Sequence, residues 1–197
     1  MPYVMGFVRR HPAGWLRLPR VLPAVARFLL GRADRGELKS ALVQASLGGS
    51  ARTTVDAWTE LFVSRLLQRG LLADALEAIA RHRRQGDVLA LLSASPDLYV
   101  PAIGKALGFG EVLCTGVEWS ADRLVGTLTT PNRRGAEKVR CLAELRARHP
   151  RLPVTAYGNS AADLPHLRLA QIGVLVNGPW WARRAAARAG LDCRVWT

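Results

Sequence analysis

The stretch VTAYGNSAADLPHL, residues 154–167, joins an apolar strand to a helix through a short polar turn. Its apolar run ends at Gly158, Asn159 follows directly, and Asp163 comes four positions later. Pro165 suits the first turn of a helix, where its missing N–H leaves no hydrogen bond unmade. The pattern therefore predicts a strand tip that presents an amide and a carboxylate, although Asp163 also suits a simple N-cap.

Strand and helix patterns alternate on both sides of this turn, through residues 85–197. GAEKVRCLAELRARHP (135–150) has the apolar spacing of a helix, whereas IGVLVN (172–177) has the composition of a buried strand. Such alternation predicts an α/β domain with a Rossmann-like parallel sheet and helices on both faces. Ligands of these folds bind beyond the carboxyl ends of the strands.

A second strand tip is predicted after DVLALLS (87–93), at the same edge of the sheet. There Ser93 and Ala94 precede a predicted helix, SPDLYVPAIGKALG (95–108), for which Ser95 suits the N-cap. The first N–H groups of a helix and the positive end of its dipole favour an anion. The cap does not need Ser93, so its hydroxyl can add a donor for an anion at this strand tip.

A lysine lies near the start of the next predicted helix, in NRRGAEKV (132–139). A cation at this position opposes the helix dipole, so it is an odd choice for stability. Beside a phosphate, however, the Lys138 ammonium would neutralise the transferring group. The alternative is an ordinary surface lysine.

Composition excludes several classes of protein. The net charge is +13, and all but three of the 28 basic residues are arginine, spread along the chain. This charge suits nucleic acid or an anionic membrane, but no RNA-binding signature or Cys/His finger accompanies it, so nucleic acid is not favoured. Three scattered cysteines provide neither a zinc site nor a disulfide framework. Without a membrane-spanning run or a signal-peptide pattern, we expect a cytoplasmic location.

Three segments of the sequence, in the order in which they occur, together resemble the motifs of a known protein family. LLSASPDLYV (91–100), DRLVGTLTTPNRRGAEKV (122–139) and AYGNSAADLPHLRLA (156–170), with GVLVN after it, resemble the haloacid-dehalogenase superfamily. The nearest branch is subfamily IB, which contains phosphoserine phosphatase and phosphatidylglycerophosphate phosphatases. The resemblance implies hydrolysis of a small phosphate monoester with Mg²⁺. In this chemistry an aspartate attacks the phosphorus, and water then releases the phosphate.

The resemblance also implies roles for individual residues. Ser93 and Ala94 correspond to the second motif, which binds phosphate. Lys138 corresponds to the catalytic cation of the third motif, with Arg134 as the alternative, because some relatives place their lysine immediately before the glycine.

Two residues of the opening stretch correspond to the fourth motif, which holds the metal. Asn159 takes the place of a metal ligand, and Asp163 is its acidic companion. The family usually has aspartate where this chain has Asn159, so one negative charge is lost and we expect weaker Mg²⁺ binding.

The family's first motif, Asp-x-Asp-x-Thr, does not occur in the sequence. In the family it ends a first strand, which lies between the strands assigned here to DVLALLS and VTAYG, and it supplies the nucleophile. We therefore expect the sheet to lack this strand and the chain to be inactive as given. Either the true start lies upstream or the chain is a truncated relative. The alternative function is a non-catalytic pseudo-phosphatase that binds phosphate or a partner.

Residues 1–84 show helical spacing and no strand pattern, so the resemblance makes them a helical cap over the site. The substrate stays open among a serine phosphate, a lipid phosphate, a nucleotide and a sugar phosphate. Residues 1–31 carry Trp15 and the run Phe28–Leu30 among arginines. They either pack as an ordinary cap helix or contact an anionic membrane surface, which would suit a phospholipid phosphate.

Overall fold

The computed structural model describes residues 2–197, apart from the side chain of Ala13. As predicted, the first 84 residues are helical in the part that is described. Among residues 2–197, none of the helices combines the length and the apolar character that crossing a bilayer requires. These N-terminal elements are α1 (Pro2–Arg10), a 3-10 helix (Pro12–Val21), α2 (Leu22–Leu29), α3 (Arg35–Leu47), α4 (Arg52–Arg69) and α5 (Ala73–Arg84).

One compact unit comprises residues 1–70, 95–106 and 114–132. It contains α1 to α4, the short helix α6 (Val100–Ala106) and an antiparallel hairpin of β3 (Val117–Ser120) and β4 (Arg123–Leu128). Its core is rich in aromatic side chains. Tyr3, Phe7 and Trp58 are buried together with valines and leucines from α1, α3, α4 and the hairpin.

The second compact unit comprises residues 71–94, 107–113 and 133–197. Its parallel sheet contains β5 (Thr155–Gly158), β6 (Ile172–Val176) and β7 (Asp192–Arg194), in that order. Its core consists of leucine and alanine side chains from β6 and the helices. The elements are α5, α7 (Ala136–Arg148), β5 (Thr155–Gly158), a 3-10 turn (Ala161–Asp163), α8 (Leu164–Leu167), β6 (Ile172–Val176), α9 (Trp180–Arg188) and β7 (Asp192–Arg194).

The predicted end of the first strand was wrong. The strand was expected to stop at Ser93 and Ser95 to cap a helix, but β1 (Ala90–Pro96) continues past both residues, and α6 begins only at Val100. The reason is a contact distant in sequence. The Asp97 N–H donates to the Thr115 carbonyl at 2.8 Å, and the Asp97 carboxylate accepts from the Val117 N–H at 3.1 Å. These bonds tie Asp97, the residue directly after β1, to the segment around Thr115 and Val117.

The fold class is α/β, with parallel strands and helices, as predicted. However, the described strands do not form one continuous sheet. β1 pairs with β2 (Glu111–Thr115), whereas β5, β6 and β7 form a separate sheet. β5 is therefore an edge strand, although the family pattern places its strand inside a sheet. The two compact units also divide the chain differently from the predicted boundary between residues 84 and 85.

Candidate functional site

The turn after β5 is organised around one buried carboxylate. Oδ2 of Asp163 accepts hydrogen bonds from the backbone N–H groups of Asn159, at 3.1 Å, and Ser160, at 3.0 Å. The Ser160 hydroxyl donates to the same oxygen at 2.8 Å. A Cβ on Gly158 would lie 2.6 Å from the Asp163 Cβ, so the close approach requires glycine. The turn is thus held rigidly at the tip of the strand.

The other oxygen of Asp163 binds the predicted cation. Nζ of Lys138, in the first turn of α7, lies 2.6 Å from Oδ1 of Asp163. The side chains are only 14% and 5% exposed, respectively. A pair this buried is screened weakly by solvent, so each charge depends strongly on the other. The structure therefore brings together two of the predicted site residues from segments 25 positions apart.

The environment keeps Asp163 ionised. Burial by itself would raise the pKa of this carboxyl. The hydrogen bond and charge of Lys138, with the donors of Ser160 and Asn159, outweigh burial and hold the pKa below its ordinary value of 3.8. Near neutral pH the site thus contains a carboxylate that accepts four hydrogen bonds and an ammonium fixed against it.

Sequence reasoning missed a third buried group, His166. Its side chain is buried, and among the described residues its Nδ1 atom has no hydrogen-bond partner. Burial, reinforced by the positive charge of Lys138 and opposed by Asp163, lowers the pKa of His166 to about 4. The available signal was its spacing, because a residue three positions after Asp163 on a helix lies on the same face.

The remaining predicted residues, Ser93, Ala94, Arg134 and Asn159, also belong to the second unit. Ser93 and Ala94 are half-buried within β1 rather than beyond its end. Arg134 is exposed, and its side chain has no hydrogen-bond or ion-pair partner among the described residues. Asn159 is exposed and forms part of the turn, where its backbone N–H donates to Asp163. Of the two candidate cations, only Lys138 contacts the turn after β5.

The described residues do not make a complete Mg²⁺ site. Within residues 2–197, no group of three or more His, Cys, Asp or Glu side chains comes together in a way that would hold a metal. Oδ2 of Asp163 accepts three hydrogen bonds and Oδ1 accepts one from Lys138, and the Asn159 amide is the more exposed oxygen donor of this turn. Mg²⁺ prefers carboxylate oxygens, waters and substrate phosphate, so one amide does not suffice.

Comparison with known proteins agrees with this architecture. The model of the haloacid dehalogenase-like hydrolases matches residues 1–168. The chain belongs to this family. Among curated relatives, protein CicA of Caulobacter vibrioides is 31% identical over 152 residues, which are 77% of this chain and 68% of CicA.

Several solved structures share the fold. A protein of unknown function from Bordetella pertussis Tohama I has a TM-score of 0.74 at 20% identity, covering 86% of this chain and 78% of that one. A substrate-bound phosphoserine phosphatase has a TM-score of 0.68 at 15% identity, covering 97% and 84%. A probable phosphoserine phosphatase from Vibrio cholerae has a TM-score of 0.70 at 17% identity, covering 88% and 51%. At these identities the similarity establishes the fold alone.

Proposed function

We propose that the chain provides the phosphate-binding and cationic part of a Mg²⁺-dependent phosphatase that acts on a small phosphate monoester. The observation that carries the proposal is the buried ion pair of Lys138 and Asp163 at the tip of β5. An ammonium group has three N–H donors, and Asp163 accepts one, so two are left for phosphoryl oxygens. A cation held in advance of the reaction stabilises developing negative charge without having to reorganise.

Each residue then has a defined task. Lys138 neutralises the transferring phosphoryl group, and Asp163 positions the ammonium. Ser93 and Ala94 bind the phosphate, whereas exposed Arg134 is the alternative cation. The helical region 1–84 is the cap that selects the substrate, and a cytoplasmic location is part of the proposal. Family membership and the fold shared with phosphoserine phosphatases support a phosphorylated substrate.

The nucleophile and the metal site need a further segment. The motif Asp-x-Asp-x-Thr does not occur in the 197 residues, and Asn159 supplies a single amide oxygen. With carboxylates from that motif, Mg²⁺ would act as a Lewis acid on the phosphoryl oxygens. The position of β5 at a sheet edge supports this proposal, because the first strand of the family lies beside that strand. The 197-residue chain should therefore be inactive.

Hydrolysis of p-nitrophenyl phosphate with Mg²⁺ tests this proposal. We expect no turnover above background by the 197-residue chain. An upstream-extended form that carries Asp-x-Asp should turn over, and replacing its first aspartate with asparagine should abolish activity. Hydrolysis by the 197-residue chain at an enzymatic rate would contradict the assignment of the nucleophile.

The two cations provide a matched pair of variants in the extended form. Lys138→Ala should lower kcat by about a hundredfold or more, the usual effect of removing a preorganised charge. Arg134 is exposed and lies two residues before the start of α7, so Arg134→Ala should change kcat less than about threefold. Equal losses of kcat in the two variants would contradict the assignment of Lys138, rather than Arg134, as the catalytic cation.

A pseudo-phosphatase that binds phosphate without chemistry is the second candidate, favoured by the absence of the nucleophile from the sequence. The genomic DNA directly upstream distinguishes the two functions. An in-frame apolar strand that ends in Asp-x-Asp-x-Thr supports the enzyme. A stop codon immediately upstream, together with calorimetric binding of inorganic phosphate that is lost in Lys138→Ala, supports the binding protein.

A further inference from the structure

Helix α2 is apolar on both of its sides. Its half-buried positions are Ala24, Val25 and Phe28. The positions on the opposite side are also apolar, and they are exposed. We name this outer side the leucine face; it consists of Leu22, Ala26, Leu29 and Leu30.

The spacing of the leucine face is that of one continuous stripe on a helix, i, i+4, i+7 and i+8. Leu22, Leu29 and Leu30 are 65%, 77% and 68% exposed. In the adjoining 3-10 helix, Trp15 and Leu16 are exposed as well. A surface helix normally turns charged or polar side chains outward, so clustered exposed leucines indicate a binding surface.

The segment that carries the leucine face contains no acidic residue of its own. Residues 2–33 contain no Asp or Glu, and their six arginines are all exposed. Arg27 pairs with Glu37 at 2.9 Å, and Arg17 donates to the Gly48 carbonyl. The side chains of the other four have no hydrogen-bond or ion-pair partner within the described part of the chain: Arg9, Arg10, Arg20 and Arg32.

We propose that α2 and the 3-10 helix before it form a peripheral docking surface for an anionic lipid bilayer. The leucine face enters the boundary between headgroups and acyl chains, and the arginines bind lipid phosphates. The charge selects an anionic partner. The leucines favour a bilayer over a nucleic acid, because a phosphodiester backbone interacts favourably with arginine but not with an aliphatic side chain. This inference does not depend on the proposed phosphatase activity.

Vesicle flotation with the 197-residue chain tests the proposal. Vesicles of phosphatidylcholine and phosphatidylglycerol in equal parts should bind the chain at least about tenfold more tightly than vesicles of phosphatidylcholine alone. High salt should weaken the binding, because screening reduces the attraction of exposed charges. Equal binding to both vesicles, or no binding to the anionic ones, would overturn the proposal.

Matched variants separate the two contributions. Leu29→Ser/Leu30→Ser should lower vesicle affinity by about tenfold or more, whereas the control Leu152→Ser/Leu169→Ser removes two leucines of 50% and 46% exposure and should leave it unchanged. Circular dichroism checks that each variant is folded.

Charge reversal provides the second pair. Arg20→Glu should weaken binding by about tenfold, since each basic residue near an anionic surface contributes about fivefold. The control, Arg184→Glu, reverses an exposed arginine of α9 and should have a smaller effect. A leucine-face variant that binds anionic vesicles like the original chain overturns the proposal. So does a chain that binds single-stranded RNA but no vesicle.

Discussion

The two compact units are stabilised by different kinds of core. In the first, Tyr3 stacks on Tyr99 with ring centroids 4.5 Å apart and meets Phe62 edge-on at 5.1 Å. In the second, the buried cluster consists of leucines and alanines, and Ala182 and Ala186 of α9 are fully buried. Small side chains let a helix lie close to its sheet, but they bury less apolar area for each residue than aromatic rings do.

The buried polar groups differ in the same way. The first unit buries the Tyr3 hydroxyl, which makes a 2.8 Å hydrogen bond with Thr59 and carries no charge at neutral pH. The second unit buries the charged pair of Lys138 and Asp163, with neutral His166 next to them. The aromatic unit should therefore be most sensitive to loss of side-chain volume and to alkali. The unit with the candidate site should be most sensitive to loss of charge and to acid.

The largest expected effect is in the aromatic core. Trp58→Ala removes a buried ring and its hydrogen bond to the Tyr3 carbonyl, so it should lower the free energy of unfolding by about 4 kcal/mol. Urea denaturation followed by circular dichroism measures this change. The control Trp181→Ala removes a ring that is 52% exposed and should cost less than about 1 kcal/mol. Equal costs would contradict the difference between the cores.

The next largest effect is expected from breaking the buried ion pair of Lys138 and Asp163. Asp163→Asn leaves the Lys138 ammonium without its counter-charge, and it should lower the free energy of unfolding by about 3 kcal/mol near neutral pH. The control Asp192→Asn breaks an exposed pair with Arg194 and should cost less than about 1 kcal/mol. A cost for Asp163→Asn no larger than the control's would show that the turn after β5 does not need the charge.

Acid should destabilise the second unit through His166. Its pKa is about 4 in the folded chain and 6.5 ordinarily, so below pH 6.5 the unfolded state binds a proton that the folded state excludes. The stabilisation is complete above pH 6.5 and is lost as the pH falls towards 4, by about 2 kcal/mol. His166→Gln removes this part of the pH dependence. Urea titrations between pH 4 and 6.5 measure the stability of the original chain and of His166→Gln. If both lost the same stability over this range, His166 would not be the cause of the acid sensitivity.

The smallest effect concerns alkali and the first unit. Burial raises the pKa of Tyr3 from 10.0 to about 12, despite the hydrogen bond with Thr59. The folded state therefore keeps its proton when the unfolded state has lost it, and stability falls as the pH rises from 10 to 12. Tyr3→Phe should lower the free energy of unfolding by about 1 kcal/mol at neutral pH, because the hydrogen bond is lost. Above pH 10 the stability of this variant should fall less steeply than that of the original chain. If the stability of Tyr3→Phe fell more steeply above pH 10 than that of the original chain, Tyr3 would not be the source of the alkaline loss of stability.

Much of the fold follows from local pattern. Apolar spacing predicted the helical character of residues 1–84, the helix that became α7 and the strands that became β5 and β6. Amphipathic periodicity and flanking glycine or proline are properties of neighbouring residues. The convergence of Lys138 and Asp163 was predicted from family motifs rather than from periodicity. Spacing alone left open an N-cap role for Asp163 and an ordinary surface position for Lys138.

The predictions from sequence were wrong or incomplete where contacts between residues distant in sequence decide the local structure. β1 passes its predicted end because Asp97 pairs with Thr115 and Val117, about twenty positions away. The burial of His166 was missed for the same reason. The exposure of the leucine face was not predictable either, because an apolar helix can bury one side or both, and only the neighbouring elements decide which.

Composition and spacing by themselves determined the alternation of helices and strands, the absence of the Asp-x-Asp-x-Thr motif and the excess of arginine. Those properties depend on which residues are neighbours in the chain. The tertiary structure alone decided that Lys138 meets Asp163 in a buried pair, that β5 lies at a sheet edge and that the leucines of α2 face outward. These outcomes depend on burial and on contacts between distant segments, whose energies no local pattern contains.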